Sequence, residues 1–222
     1  VVQVYRESEQ GLALARGFSE QWQKLGSTAL SERRLGRSEK IGARFWDELG
    51  KKHPNAVLLL WLPAEDMAGV ERLAPDGKRA ATLFASSSML GGNYAVLPDA
   101  VRDFTFLTYP KRLPGEGQYT RDLVTSWLGI KKIATENLEV SSKSYFTTRM
   151  ISTALIDMGT DFYRDFFLDL LDCAPDQLNS SLSYPVLSFG PGQRYAAKGC
   201  YVVTLGKGAQ PKLTKQSDWI IY

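Results

Sequence analysis

The residues able to carry chemistry are few and scattered. The chain has one histidine, His53, and two cysteines, Cys173 and Cys200. Serine hydroxyls gather at Ser86, Ser87 and Ser88, with Ser8 near the start. A serine nucleophile needs a base within hydrogen-bond reach. His53 precedes Pro54, where a helix pattern ends and a strand begins, so it is expected at the edge of the sheet opposite these serines. No G-x-S-x-G elbow is present either. A lone histidine and two distant cysteines do not make a zinc or redox spacing. The adjacent acids Glu65 and Asp66 read as cap and dipole partners at a helix start. No catalytic residue, metal or cofactor is assigned, and the chain is not read as an enzyme.

The stretch "YPVLSFGPGQRYAAKGCYVVTL", residues 184 to 205, is the one glycine loop that resembles a phosphate cradle. Such a cradle needs a helix directly after its glycines, with amides facing the anion. Here the residues after Gly192 lead into a strand, and Pro191 removes an amide. Gly190-Pro191-Gly192 therefore reads as a reversal between two extended segments.

Hydropathy shows which elements position the remaining candidates. "VVQVY" (1–5) is a strand, and Gly11 to Leu25 carries Leu12, Ala15, Phe18 and Trp22 at helical spacing before Gly26 ends it. A weaker strand follows at 28–35. Ser38 is expected to cap a helix running to Lys52, with Ile41, Phe45 and Leu49 on one face. "AVLLLWL" (56–62) is apolar throughout, as a strand covered on both faces must be. Pro63 opens a short helix with Met67, Val70 and Leu73 inward, and 80–86 is a further strand. This alternation predicts a parallel sheet with helices on both faces. Beyond it come a strand at 103–110, a short helix at 123–128, and helices at 144–158 and 161–172. The last carries Phe162, Phe166 and Leu170 at i, i+4, i+8, with no sheet in sight to cover them. A short strand in "KLTKQSDWIIY" closes the chain.

Composition narrows the class. The 222 residues carry 27 basic and 24 acidic side chains, a formal charge of +3. The densest basic run, "SERRLGRSEK", is diluted by Glu32 and Glu39, so no nucleic-acid face is assigned. No apolar run is long enough to span a membrane. No leader-like segment precedes the first strand, which begins abruptly and suggests a missing upstream portion. For Cys173 and Cys200 two alternatives stand open, a disulfide or two buried thiols.

Taken in order, "VVQVYRESEQGLALARGF", "NAVLLLWLPAEDMAGV", "VRDFTFLTYPKRLPG", "SYFTTRMISTALIDMG" and the glycine-loop segment resemble the C-terminal two-thirds of a type I periplasmic solute-binding protein. This is the branched-chain amino acid and amide receptor family of ABC importers. The resemblance implies an α/β fold: a doubly wound parallel-sheet lobe plus a partial second lobe dominated by helices. It makes residues 1–102 and about 185–222 the ligand-binding lobe, and 103–184 a hinge crossing with helices of a partial first lobe. It also implies an exported, periplasmic protein that binds a small polar metabolite (amino acid, amide or related) by hinge closure, with an ABC permease as partner and no membrane insertion.

In a doubly wound sheet, ligands gather beyond the carboxyl ends of the strands. The expected ligand-binding residues there are Ser8, Glu9, Trp61, Ser86, Ser87 and Ser88. Trp61 reads equally as core, and Glu9 as a helix-start charge. In amino acid receptors of this kind an acid after the fourth strand meets the ligand's ammonium; here that loop has three serines, which disfavours an α-amino acid. Two other classes share the pattern: an effector-sensing domain of a transcriptional regulator, and a non-transport interaction module.

Overall fold

A computed structural model describes residues 1–27, 29–74, 80–134, 136–177, 183–187 and 195–221. The Gly190-Pro191-Gly192 reversal lies outside them. The chain divides into two compact units: Val1–Tyr109 with Tyr201–Asp218, and Pro110–Cys200 with Trp219–Tyr222.

The first unit is built on one seven-stranded sheet, ordered β2-β1-β3-β4-β5-β6-β7. Its strands are β1 Val2–Arg6, β2 Ser31–Leu35, β3 Ala56–Trp61, β4 Ala80–Ser86, β5 Thr105–Tyr109, β6 Tyr201–Leu205 and β7 Leu213–Lys215. The first five are parallel, and β6 pairs antiparallel with both β5 and β7. This confirms the doubly wound α/β expectation. β5, in the stretch that the resemblance assigns to the hinge crossing, is the fifth parallel member of the sheet, paired with β4 and β6.

Alternation along the strands sorts the core. Val4, Leu58, Leu60, Leu83, Ala85 and Leu107 share one face and are fully buried. Tyr5, Leu59 and Trp61 point the other way and pack against Ala15 and Phe18 of α1, Glu9–Lys24. Right-handed crossovers put α1 on this second face, and the later connections on the first. Gln3, also fully buried, is polar because it is fully used. Its amide oxygen accepts from Trp61 Nε1 at 2.8 Å and its Nε2 donates to Ser19 Oγ at 2.8 Å.

Helix α2 is Ala43–Lys52, starting at Gly42 rather than at the expected cap Ser38. The reason lies in the residues between. The carbonyls of Gly36, Arg37 and Glu39 turn to the guanidinium of Arg6, so the backbone there cannot be helical. The buried positions of α2 are Trp46, Leu49 and Gly50; Phe45 is half-buried. The segment after Pro63 is two 3-10 turns, Ala64–Met67 and Val70–Leu73, and not one helix. Gly69, at φ +86°, separates them. Met67, Val70 and Leu73 are nonetheless all buried, as the periodicity required. A four-residue helix, α3 (Asp99–Arg102), precedes β5. The buried Arg102 pins it: Nε donates to Leu97 O at 2.7 Å and Nη1 to Gly208 O at 2.8 Å.

The second unit contains α4 Gln118–Ile130, α5 Leu138–Asp157 and α6 Arg164–Gln177, each longer than its pattern suggested or shifted from it. Phe162 and Tyr163 precede α6 and are 70% exposed, and Phe166 is 38% exposed. Tyr184 to Leu187 is not a strand, so the first arm expected around the glycine loop is irregular. Cys173 is exposed and Cys200 half-buried, and both are free. Neither the disulfide nor the buried pair describes them.

Candidate ligand site at the strand tips

In the order β2-β1-β3, the sheet's connections diverge between β1 and β3, and the carboxyl ends of these two strands mark the switch point at which doubly wound folds hold ligands. Arg6, the last residue of β1, organises it. Nε and Nη2 donate to the two Asp66 carboxylate oxygens at 2.6 Å each. Nη1 donates to Gly36 O at 2.7 Å and Arg37 O at 3.1 Å, and Nη2 also to Glu39 O at 2.9 Å. All five guanidinium donors are thereby used. The Asp66 hydrogen bonds hold the Arg6 pKa above its usual value, against the lowering effect of burial. One side chain therefore ties three strand-tip loops together. Neither partner carries a decisive sequence signal: Asp66 reads as a helix-start charge, and an arginine at a strand end carries no motif.

The expected site residues fall into three situations. Ser8 is the N-cap of α1, its Oγ accepting from Gly11 N at 3.0 Å, and Glu9 is an exposed residue of the first turn. Trp61 is 7% exposed in the core against α1, with its indole N–H donated to Gln3. Ser86 and Ser87 are buried at the tip of β4, while Ser88 is exposed. The Ser87 amide donates to Thr108 O at 3.1 Å, drawing the serine turn onto β5. Ser8 and the serine turn thus stand on the carboxyl edge, and Trp61 faces the interior.

Gly11 shows how closely that edge is built. An added Cβ would strike the carbonyl oxygen of Arg6, a backbone atom that cannot swing aside. Alanine normally favours a helix over glycine by about 1 kcal/mol. Here the clash reverses the sign, and Gly11→Ala is expected to lower the unfolding free energy by roughly 1–3 kcal/mol in urea denaturation. A gain in stability would show that the α1 start is free to move.

His53 stands at the opposite edge, at the C-terminus of α2, beside a cavity of about 260 Å³ lined with Glu32, Phe45, Glu48 and Lys52. Burial, then Lys52, pull its pKa below the ordinary value. A depressed pKa means the unfolded chain takes up the proton first, so the contribution is complete above about pH 6.5 and is lost as pH falls. Urea midpoints should therefore decline from pH 7.5 to 5, and His53→Gln should flatten that decline. An unchanged slope in the variant would assign it to other groups.

Among the described residues no helix is long and apolar enough to cross a membrane. No protein-family model and no curated relative matches the sequence. Solved structures do match. A Rhodospirillum rubrum protein described as a branched-chain amino acid ABC transporter is 16% identical, with a TM-score of 0.68 over 96% of this chain and 60% of its own. A periplasmic binding protein type 1 from Bordetella pertussis is 12% identical, with a TM-score of 0.60 over 97% of this chain and 60% of its own. A leucine binding protein from Thermotoga maritima is 13% identical, with a TM-score of 0.55 over 97% of this chain and 59% of its own. The fold is that of the type I periplasmic binding proteins, and the chain spans about 60% of the length of these neighbours.

Proposed function

We propose that the chain belongs to an extracytoplasmic solute-binding component of an ABC importer, and that the carboxyl edge of its sheet is one jaw of a clamp for a small polar metabolite. The observation that supports this reading is the switch point between β1 and β3, where Arg6 ties the strand-tip loops together, in a fold whose solved neighbours include a branched-chain amino acid ABC transporter and a leucine binding protein. The clamp works by hinge closure: ligand favours the closed state, and a permease in the membrane recognises it.

The charge pattern of the edge limits the ligand. Asp66 is committed to Arg6, and the turn after β4 offers Ser86, Ser87 and Ser88 with no carboxylate. An α-ammonium buried against that serine turn would find no carboxylate in it, and an unpaired buried charge costs several kcal/mol. Polar groups that pair with hydroxyls and amides, as in amides and hydroxylated or acidic metabolites, suit the site better.

The test is a metabolite panel on the full-length protein, read by thermal shift and by small-angle scattering. A ligand at one hundred times its dissociation constant adds about 2.7 kcal/mol of stability. The expected result is a raised Tm with a smaller radius of gyration for at least one polar metabolite. Stabilisation without compaction would defeat the hinge, and no response across the panel would defeat the clamp.

A further inference from the structure

The second unit holds an open cavity of about 500 Å³ between the end of α4 and one face of α5. That volume falls in the range of small-molecule sites. Trp127 and Leu128 of α4, Ile133 of the connection and Val140 of the first turn of α5 supply its apolar lining. Leu128 is buried, whereas Trp127, Ile133 and Val140 are 37%, 48% and 59% exposed. Single exposed apolar side chains are ordinary, but three gathered on one cavity mark a binding surface. The rings of Trp127 and Tyr145 meet across the two helices at a centroid distance of 5.0 Å, which fixes an aromatic wall.

The polar part of the lining is ordered along α5. Ser141, Ser144 and Thr148 follow one another at i, i+3 and i+7, so a row of hydroxyls runs along the cavity. Arg149 stands at the far end of that row, about 13 Å along the helix from Val140. An apolar end and a cationic end are thereby separated. No acid lies three or four positions from Arg149, where the helix carries Tyr145, Phe146, Ser152 and Thr153. Exposed arginines of other helices are paired at that spacing, Arg16 with Glu20 and Arg44 with Glu48. Glu139, in the first turn of α5, is taken by Lys111 and Lys143 at 3.0 Å each. Among the described residues no carboxylate forms an ion pair with Arg149, so the cavity carries an unopposed positive charge.

We infer that this cavity binds a monoanionic amphiphile, its apolar body against Trp127 and Leu128 and its acidic head at Arg149 and the Thr148 hydroxyl. Aromatic and aliphatic walls take up a flat or extended apolar body. Guanidinium and hydroxyl groups donate to a head that only accepts. A cationic amphiphile would meet like charge at Arg149, and a small polar metabolite would leave the exposed rings uncovered. The site lies wholly within the second unit and does not rest on the clamp reading.

The probe is anilinonaphthalenesulfonate, an aromatic anion whose fluorescence rises in apolar surroundings. It is titrated into the full-length protein at low, constant ionic strength, beside phenylnaphthylamine, the same body without the sulfonate. The expected result is saturable sulfonate binding that is lost in Thr148→Phe, whose ring fills the cavity. Arg149→Gln should weaken the sulfonate roughly fivefold, the upper range for an exposed ion pair, and the neutral probe less than about twofold. Thr148 and Arg149 are exposed helix positions, and Ser144→Leu, also on the lining, repeats the filling test if Thr148→Phe folds poorly. Sulfonate binding that neither filling variant reduces, or no saturable binding at all, overturns the site. Equal losses for the two probes in Arg149→Gln overturn the anionic head.

Discussion

Trp46→Ala lowers the free energy of unfolding by about 3–5 kcal/mol, the range for truncating a large aromatic in a close-packed interior. Trp46 has no solvent exposure, and its indole N–H donates to Ala68 O at 2.9 Å. That bond fixes the turn before Gly69. A Cβ on Gly69 would sit 2.8 Å from Ala43 N and 2.9 Å from its Cα, so the start of α2 lies directly on the glycine. Removing the indole therefore opens a cavity and frees both the α2 start and the turn it touches. Trp46→Phe keeps most of the volume and loses the hydrogen bond, and should cost about 1–3 kcal/mol. Urea denaturation separates the two variants. Equal losses would mean that the hydrogen bond, and not the packing, dominates.

The second large effect concerns Arg6 and Asp66. Their side chains are 15% and 10% exposed, and the pair is bidentate. Removing one partner of a buried pair leaves the other charge uncompensated, so Arg6→Met or Asp66→Leu alone should cost about 3–5 kcal/mol. The double variant should lose well under the sum, because no orphan charge remains. The two singles differ in a second way. Arg6→Met also releases the carbonyls of Gly36, Arg37 and Glu39, and so loosens the loop after β2; Asp66→Leu leaves those bonds in place. Hydrogen exchange at residues 36–39 should rise in the first variant only. Additive losses in the double-mutant cycle would show that the two side chains act independently.

Much of this architecture was legible in the residues themselves. The unbroken apolar run of β3 and the Met67-Val70-Leu73 spacing follow from burial on a regular element, and both are where periodicity put them. What escaped was set by distant partners. Ser38 has the chemistry of a cap, but the neighbouring carbonyls answer to Arg6, thirty or so residues away in sequence, and the helix starts later. Trp61 at a strand end fits a pocket wall or a core, and only the alternation relative to α1 decides for the core. Ser8 and the β4 serines follow from topology, since the carboxyl edge is fixed once the strand order is known. Arg6 and Asp66 carry no local pattern at all; their roles arise from pairing and enclosure.

The seven-stranded sheet is not contiguous in the chain. Its first five strands end at Tyr109, and β6 arrives only at Tyr201. On the ribosome, β5 therefore emerges with one rim of backbone amides and carbonyls unmatched, and must wait while residues 110–200 are translated. Joining β5 to β6 closes a long loop, whose entropy opposes the step until the later pairing compensates. During that interval the rim can recruit a stranger's strand. A nascent chain halted before Tyr201 is thus a natural client for a holding chaperone, and one halted after Lys215 is not.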